Sequence, residues 1–257
     1  MTSFRGAICT ALTGPESIQM QTREARPLAS GEVRIAVKAA GLNFPDLLMT
    51  HGKYQFRPDP PFVPGLEAAG EVIEVAPDVQ GIKPGDRVMA GGKGGALAEQ
   101  WIVNEAAVSP LPPALTFSQG ACWQTGASTA WHALIARGHL QPAESVLVLG
   151  ASGGVGMAAV KMAKHIGATV IGTGSTEEKR DAIRQAGADH VLNPADKDLA
   201  AKVKQFTDGK GVDVVFDPVG GDLALTATRA IAWDGRYLIV GFASGGIPSF
   251  PANHVMI

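Results

Sequence analysis

The feature that most restricts the possible folds is a glycine-rich turn, Gly150-Ala151-Ser152-Gly153-Gly154-Val155-Gly156, set between an apolar strand and a helix. Ser145 to Leu149 reads as a short buried strand. After the turn, apolar residues at 155, 158, 159, 162, 163 and 166 mark one helix face, and Gly167 stops it. Aligned to the dinucleotide fingerprint, Ala151, Gly153 and Gly156 take the three glycine positions. Gly153 lets the backbone approach a pyrophosphate, and Gly156 lets the helix pack closely on the sheet. The helix N-terminus then offers free N–H groups and a partial positive charge to the anion, through residues 152 to 156. A tight turn needs glycine anyway, so the flanking strand, the helix and a second strand about twenty residues on carry the argument.

The rest of this half alternates strand and helix. Thr169 to Thr173 reads as a strand, and Ser175 begins a helix with Glu178 three residues on, a capping-box spacing, ended by Gly187. Strands follow at 190–192, 212–217 and 236–240, with helical segments around 199–206 and 223–232. Repetition of strand and helix with short connections predicts a parallel, doubly wound α/β sheet.

The chain changes character near residue 120. Before it, Val33, Ile35 and Val37 alternate with Arg34, Ala36 and Lys38, and Glu71 to Val75 and Arg87 to Ala90 are further strands. A first strand is read from Gly6 to Leu12. Lys83-Pro84-Gly85-Asp86 is a turn, and Pro58, Pro60, Pro61 and Pro64 exclude helix from their loop. This half reads as β-rich and partly barrelled. The division is drawn as 1–122 and 123–257.

The residues at the second strand's end bear on the nucleotide. An NAD enzyme usually carries Asp or Glu there for the ribose diol. Here the strand runs into Gly174 and Ser175, which leave room for a 2′-phosphate, with Lys179 and Arg180 one helical turn beyond. NADPH is therefore favoured over NADH, the bland alternative being that Lys179 and Arg180 only line a solvated helix face. Gly150-Ala151-Ser152-Gly153-Gly154 also matches a nucleophile elbow, and Asp217 and His254 follow in hydrolase order. A serine hydrolase using Ser152 has no need of Gly156 and would normally place its elbow inside a sheet already begun.

Composition removes other classes. Apolar residues make up 46% of the 257, enough for a real core, so disorder is excluded. The net charge of −2 comes without a basic stripe, so no nucleic-acid partner is expected. Two cysteines, Cys9 and Cys122, cannot build a disulfide framework, and the six histidines are scattered with no H-E-x-x-H, so no metal is expected. No run approaches the ~20 apolar residues of a membrane span. A cytoplasmic protein is expected.

Taken together the landmarks Ala40-Gly41-Leu42-Asn43-Phe44-Pro45-Asp46, Pro64-Gly65-Leu66-Glu67-Ala68-Ala69-Gly70, Gly85-Asp86-Arg87-Val88, Gly153-Gly154-Val155-Gly156, Gly187-Ala188-Asp189 and Gly241-Phe242-Ala243-Ser244-Gly245 resemble the quinone oxidoreductase (zeta-crystallin-like) branch of the medium-chain dehydrogenase/reductase superfamily. The resemblance runs from about residue 5 to residue 250. It implies a GroES-like catalytic domain joined to a Rossmann domain, with the active site in the cleft between them. Zinc-dependent relatives carry a Cys where this chain has Asn43 and a His where it has Leu66, and their cysteine-rich lobe is absent, so the resemblance is to the zinc-independent members.

The implied chemistry is hydride transfer from NADPH to a quinone or an α,β-unsaturated carbonyl. By resemblance Asn43 and Tyr54 line the pocket, Asp46 orients the loop, and Thr129 is a nicotinamide-side contact. Gly241, Phe242 and Ala243 follow the fifth strand, where strand ends face a nucleotide. Asn43 and Asp46 are also common turn residues, and Tyr54 can equally be a loop aromatic. A nucleotide-binding fragment without full catalysis is the alternative. Family members continue for several tens of residues after a segment like Ile247 to Asn253, adding a sixth strand that often builds a homodimer interface. Against that pattern the chain reads as truncated at its C-terminus, with an edge open beside its fifth strand.

Overall fold

The structure, a computed structural model, describes residues 3–256. It contains two compact units that divide between Thr125 and Gly126.

The first unit is antiparallel. Strands β1 (Ser3–Cys9) and β2 (Ile18–Glu24) form a two-stranded ribbon, and β3 (Glu32–Gly41), β4 (Glu67–Val75), β5 (Arg87–Gly91), β6 (Gln100–Asn104) and β7 (Val108–Pro110) form a sheet in the order β6-β3-β4-β5-β7. Alternation puts Val33 and Ile35 of β3, Val72 of β4, Val88 and Ala90 of β5 and Trp101 and Val103 of β6 into one core. Strands β3, β4 and β5 each run beyond the stretch read from sequence, and β6 and β7 are not read as strands there. β4 starts four residues early because Ala68 and Ala69 pair with Ala40 and Ala39 of β3, a pairing that small residues do not announce. Gly70 in this stretch admits no side chain, since a Cβ would lie 2.1 Å from the Ala36 carbonyl oxygen. The first strand runs Ser3–Cys9 rather than 6–12, fixed by its register with β2.

A short helix, α1 (Phe44–Thr50), occupies the stretch after β3 that the sequence marked only by turn residues, with Pro45 in its first turn. Helix α2 (Phe117–Ala121) follows β7. Helix α3 (Gln124–Trp131) then continues into one π-helical turn over His132–Arg137.

The second unit is the parallel sheet: β8 (Ser145–Val148), α4 (Gly154–Ile166), β9 (Thr169–Thr173), α5 (Glu177–Gln185), β10 (His190–Leu192), α6 (Leu199–Gln205), β11 (Val212–Asp217), α7 (Gly221–Thr228) and β12 (Ile231–Ile239), closed by α8 (Ala252–Met256). The strand order is β10-β9-β8-β11-β12. The chain therefore winds outward from β8 in one direction and returns to wind in the other, which makes the ends of β8 and β11 a topological switch point. Helix α4 buries Gly156, Ala159, Val160 and Ala163, with Val155, Ala158, Met162 and Ile166 flanking them. The stripe is the expected one, centred one residue further along.

Two helix boundaries differ from the sequence reading. Helix α5 is capped by Thr176, whose hydroxyl accepts from the Lys179 N–H at 3.3 Å, not by Ser175. Helix α7 ends at Thr228 instead of near 232, because residues from Ile231 on join the sheet and Val212 pairs with Ile231. Among the described residues β12 pairs only with β11 and, like β10 at the other end, is an outer strand of the sheet. No helix among the described residues is long and apolar enough to cross a membrane.

Candidate active site

The phosphate turn is built from three directions. Gly150 takes the left-handed conformation, φ 56°, so the special backbone angle falls one residue before Ala151 and the alanine there is unstrained. Buried Thr173, at the end of β9, straps the turn: its hydroxyl accepts from the Gly150 N–H at 3.0 Å and its carbonyl from the Ala151 N–H at 3.1 Å. A Cβ on Gly156 would lie 2.4 Å from the Gly150 carbonyl oxygen, so only glycine lets α4 start this close to the turn. Gly153 and Gly154 are exposed, and a Cβ on Gly154 would meet nothing within 4 Å. No side chain among the described residues caps α4, so the amides of its first turn are left for a ligand. Ser152 and Val155 are half-buried beside them. These residues fit the pyrophosphate of a dinucleotide.

The loop after β11 completes this wall. Asp217, buried at the strand end, accepts from the N–H groups of Val219 and Gly220 at 2.8 Å each, and from the Tyr237 hydroxyl at 2.8 Å. Burial, and then the neighbouring Asp217, raise the Tyr237 phenol well above its ordinary range. A Cβ on Gly150 would come within 2.8 Å of Val219, so the Asp217 loop abuts the phosphate turn. The chain from Val240 to Ser244 lies along the same loop: Gly241 donates to the Asp217 carbonyl, and Ala243 to that of Pro218. Phe242 is half-buried against Gly220. Sequence reasoning singled out Asp217 only as a triad member. Its carboxylate is spent on the loop and on Tyr237, while His254 Nδ1 pairs with the Thr228 hydroxyl at 3.2 Å. Ser152, Asp217 and His254 therefore do not assemble as a triad.

At the far side of the turn, Gly174 is buried and Ser175 exposed. Lys179 Nζ lies 3.4 Å from the Ser175 hydroxyl, and Arg180 donates from Nη1 to the Gly174 carbonyl at 3.0 Å. Both cations thus stand at the end of β9, as the sequence places them. A pocket of about 420 Å³ is lined by Ser128, Thr129, His132, Ala133, Ile239 and Val240. It brings Thr129 of α3 to the end of β12. His132 opens the π-helical turn, an irregularity often found at functional sites, and no sequence pattern pointed to it.

In the first unit Asn43 caps α1 and its side chain is held: Nδ2 donates to Oε1 of buried Glu67 at 2.8 Å, while Glu67 Oε2 accepts from the Thr125 N–H at 3.0 Å. Gly41 makes room, since a Cβ there would lie 2.8 Å from Glu67 Oε1. Asp46 accepts from the backbone N–H of Asn43 at 2.8 Å and of Gly65 at 3.0 Å. Burial raises its carboxyl pKa against those two bonds. Tyr54 lies in the loop after α1, half-buried, with its hydroxyl unpartnered among the described residues. Sequence reasoning does not single out Glu67, although it stands in the Pro64 to Gly70 landmark. Only the tertiary pairing of β3 with β4, Gly41 opposite Glu67, brings it to Asn43.

An antiparallel β unit followed by a parallel sheet with this phosphate turn defines a medium-chain dehydrogenase/reductase. Family models agree: residues 29–113 match the alcohol dehydrogenase GroES-like domain, and residues 154–257 match the zinc-binding dehydrogenase model. The chain is 38% identical over 257 residues to a quinone oxidoreductase-like protein 2 homolog of Nematostella vectensis, covering 99% of itself and 70% of that protein. Among solved structures, a quinone oxidoreductase of Pseudomonas syringae has a TM-score of 0.90 at 33% identity, covering 99% of this chain and 78% of that one. A mycobacterial protein complexed with NADPH has a TM-score of 0.90 at 31% identity, over 98% and 78%. The chain belongs to the quinone oxidoreductase branch of the medium-chain dehydrogenase/reductase superfamily. It is of an oxidoreductase family, and its residues suit a nicotinamide cofactor.

The zinc in the second family description does not suit the residues present. Asn43 and Leu66 are not zinc ligands, and the nearby carboxylates of Glu67 and Asp46 have each oxygen taken by an N–H. Among the described residues no three His, Cys, Asp or Glu side chains gather to hold a metal ion.

Proposed function

We propose that the protein is an NADPH-dependent, zinc-independent reductase that delivers a hydride to a quinone or an α,β-unsaturated carbonyl. The observation that carries the reading is the uncapped, glycine-cradled start of α4 at the sheet's switch point, with Lys179 and Arg180 at the end of β9 and no acid in that strand end. The bound nicotinamide supplies the hydride. Residues 151 to 156 hold the pyrophosphate, Gly174, Ser175, Lys179 and Arg180 receive the 2′-phosphate, and Thr129 with Gly241, Phe242 and Ala243 border the nicotinamide end.

Hydride addition leaves negative charge on the acceptor's carbonyl oxygen, and donors fixed in place before the reaction stabilise it most. Tyr54 is assigned the donor role because its hydroxyl has no partner among the described residues. Asn43 supplies its second Nδ2–H, the first being anchored on Glu67. Asp46 positions that loop through two backbone bonds and moves no proton.

The test is a titration with NADPH and NADH, followed by NADPH oxidation with a panel of quinones and enones. Tight NADPH binding with acceptor-dependent oxidation is expected. Binding without oxidation would leave a nucleotide-binding protein, and ester turnover lost in Ser152→Ala would restore the hydrolase.

A further inference from the structure

Arg180, placed above at the 2′-phosphate site, is already engaged by a carboxylate. Its Nε and Nη2 both donate to Glu177 Oε2, at 3.0 and 2.6 Å, while Nη1 holds the Gly174 carbonyl. The other oxygen of Glu177 accepts from Arg184 at 2.8 Å, and Arg184 also meets Asp181 at 2.5 Å. Two acids and two bases thus form one electrically closed chain along the first turns of α5. The arginine stem is packed as well: a Cβ on Gly174 would lie 3.2 Å from Arg180 Cγ. The guanidinium is therefore fixed at the end of β9, but its charge is already matched. Lys179 is exposed, has no carboxylate partner among the described residues, and is the cation left over there.

We propose that Glu177 is a specificity-determining residue that holds back the preference for a 2′-phosphorylated nucleotide, by engaging and neutralising the Arg180 guanidinium that would otherwise meet the phosphate. The inference rests on the nucleotide site proposed above. Selectivity is a difference between two affinities, and an unfavourable element acts on it as directly as a favourable one. NADH, with a hydroxyl in place of the phosphate, has no phosphate charge for Arg180 to match. Arg184 and then Arg180 hold the Glu177 carboxyl below the usual carboxylate range.

Binding is read directly, by nucleotide fluorescence and calorimetry on the whole chain, without turnover. Glu177→Gln keeps an acceptor for Arg180 and removes the charge. It should tighten NADPH by about threefold to tenfold and change NADH by less than about twofold, as expected for one partly screened charge at short range. Glu177→Ala should move both affinities the same way. Glu178→Gln removes a charge one position along that no hydrogen bond joins to Arg180, and should leave both affinities within about twofold. Unfolding curves of the variants confirm that each is folded. Unchanged or weaker NADPH binding in the two Glu177 variants overturns the inference, as does an equal gain from Glu178→Gln. A wild-type chain that binds neither nucleotide overturns the site itself, and this inference with it.

Discussion

At the residue scale, the candidate catalytic groups differ in how firmly they are held. Asn43 is anchored through its amide, and Asp46 accepts two backbone N–H groups, whereas the Tyr54 hydroxyl has no partner among the described residues. Tyr54→Phe is expected to lower turnover by about 100-fold, the low end of what a proton-transferring side chain contributes, with NADPH affinity nearly unchanged. Unchanged turnover in steady-state kinetics removes Tyr54 from the donor role. Asp46→Asn tests the other kind of residue. It turns an amide N–H₂ toward a backbone N–H and should cost about 1–3 kcal/mol of stability, read from denaturant unfolding. Asn43, Asp46 and Tyr54 were nominated from sequence by resemblance. Their different degrees of fixation were not legible there, because Glu67 and Gly65 reach them across the fold.

At the element scale, the start of α4 is the tightest joint in the second unit. Gly156→Ala places a methyl 2.4 Å from the Gly150 carbonyl oxygen and 2.8 Å from Ala151 Cα, both backbone atoms that cannot swing aside. The helix must shift, at a cost of about 1–3 kcal/mol, and NADPH binding should weaken at least about tenfold by fluorescence titration. The cap of α5 is a milder test. Thr176→Ala should cost about 1 kcal/mol, whereas Ser175→Ala, which the sequence spacing would have made the cap, should cost less in the same unfolding experiment. The elements were most legible where periodicity is strong, as in α4, β9 and β11. They were least legible where small residues pair in β4, or where the helix expected near 223–232 gave way to the sheet at Ile231.

At the scale of the whole molecule, carboxylates in both units are held below their ordinary pKa by cations and N–H groups. Glu32 is lowered to about 2, chiefly by Arg26, and Asp86, Glu99 and Glu144 are lowered too. A depressed native pKa contributes stability above the unfolded value, lost as pH falls through the native one. Thermal stability should therefore drop as pH falls from about 4.5 toward 2. Asp46 has the opposite sign: its raised pKa means that ionisation opposes folding as pH rises past its unfolded value. On the alkaline side, Tyr237 keeps its proton above the unfolded phenol's range. Its contribution is complete below pH ~10 and is lost at higher pH. Tyr237→Phe should flatten that alkaline limb, and a melting series across pH shows whether it does.

The sequence by itself determined the order of strands and helices in the second half, the phosphate turn and the position of two cations beside it. Each of these follows from neighbours in the chain, through 3.6-residue periodicity, glycine's backbone freedom and spacing along one βαβ unit. Only the tertiary structure decided that Thr173 straps the turn, that Asp217 braces a loop instead of a histidine, that Glu67 anchors Asn43 and that Glu177 engages Arg180. Thr173 and Glu67 act between elements that meet only when sheets form. Asp217, though its loop bonds are local, is also held by Tyr237 of the neighbouring strand. For Glu177, nearness in the chain does not settle which of several carboxylates an arginine will take, and packing of its stem across Gly174 does.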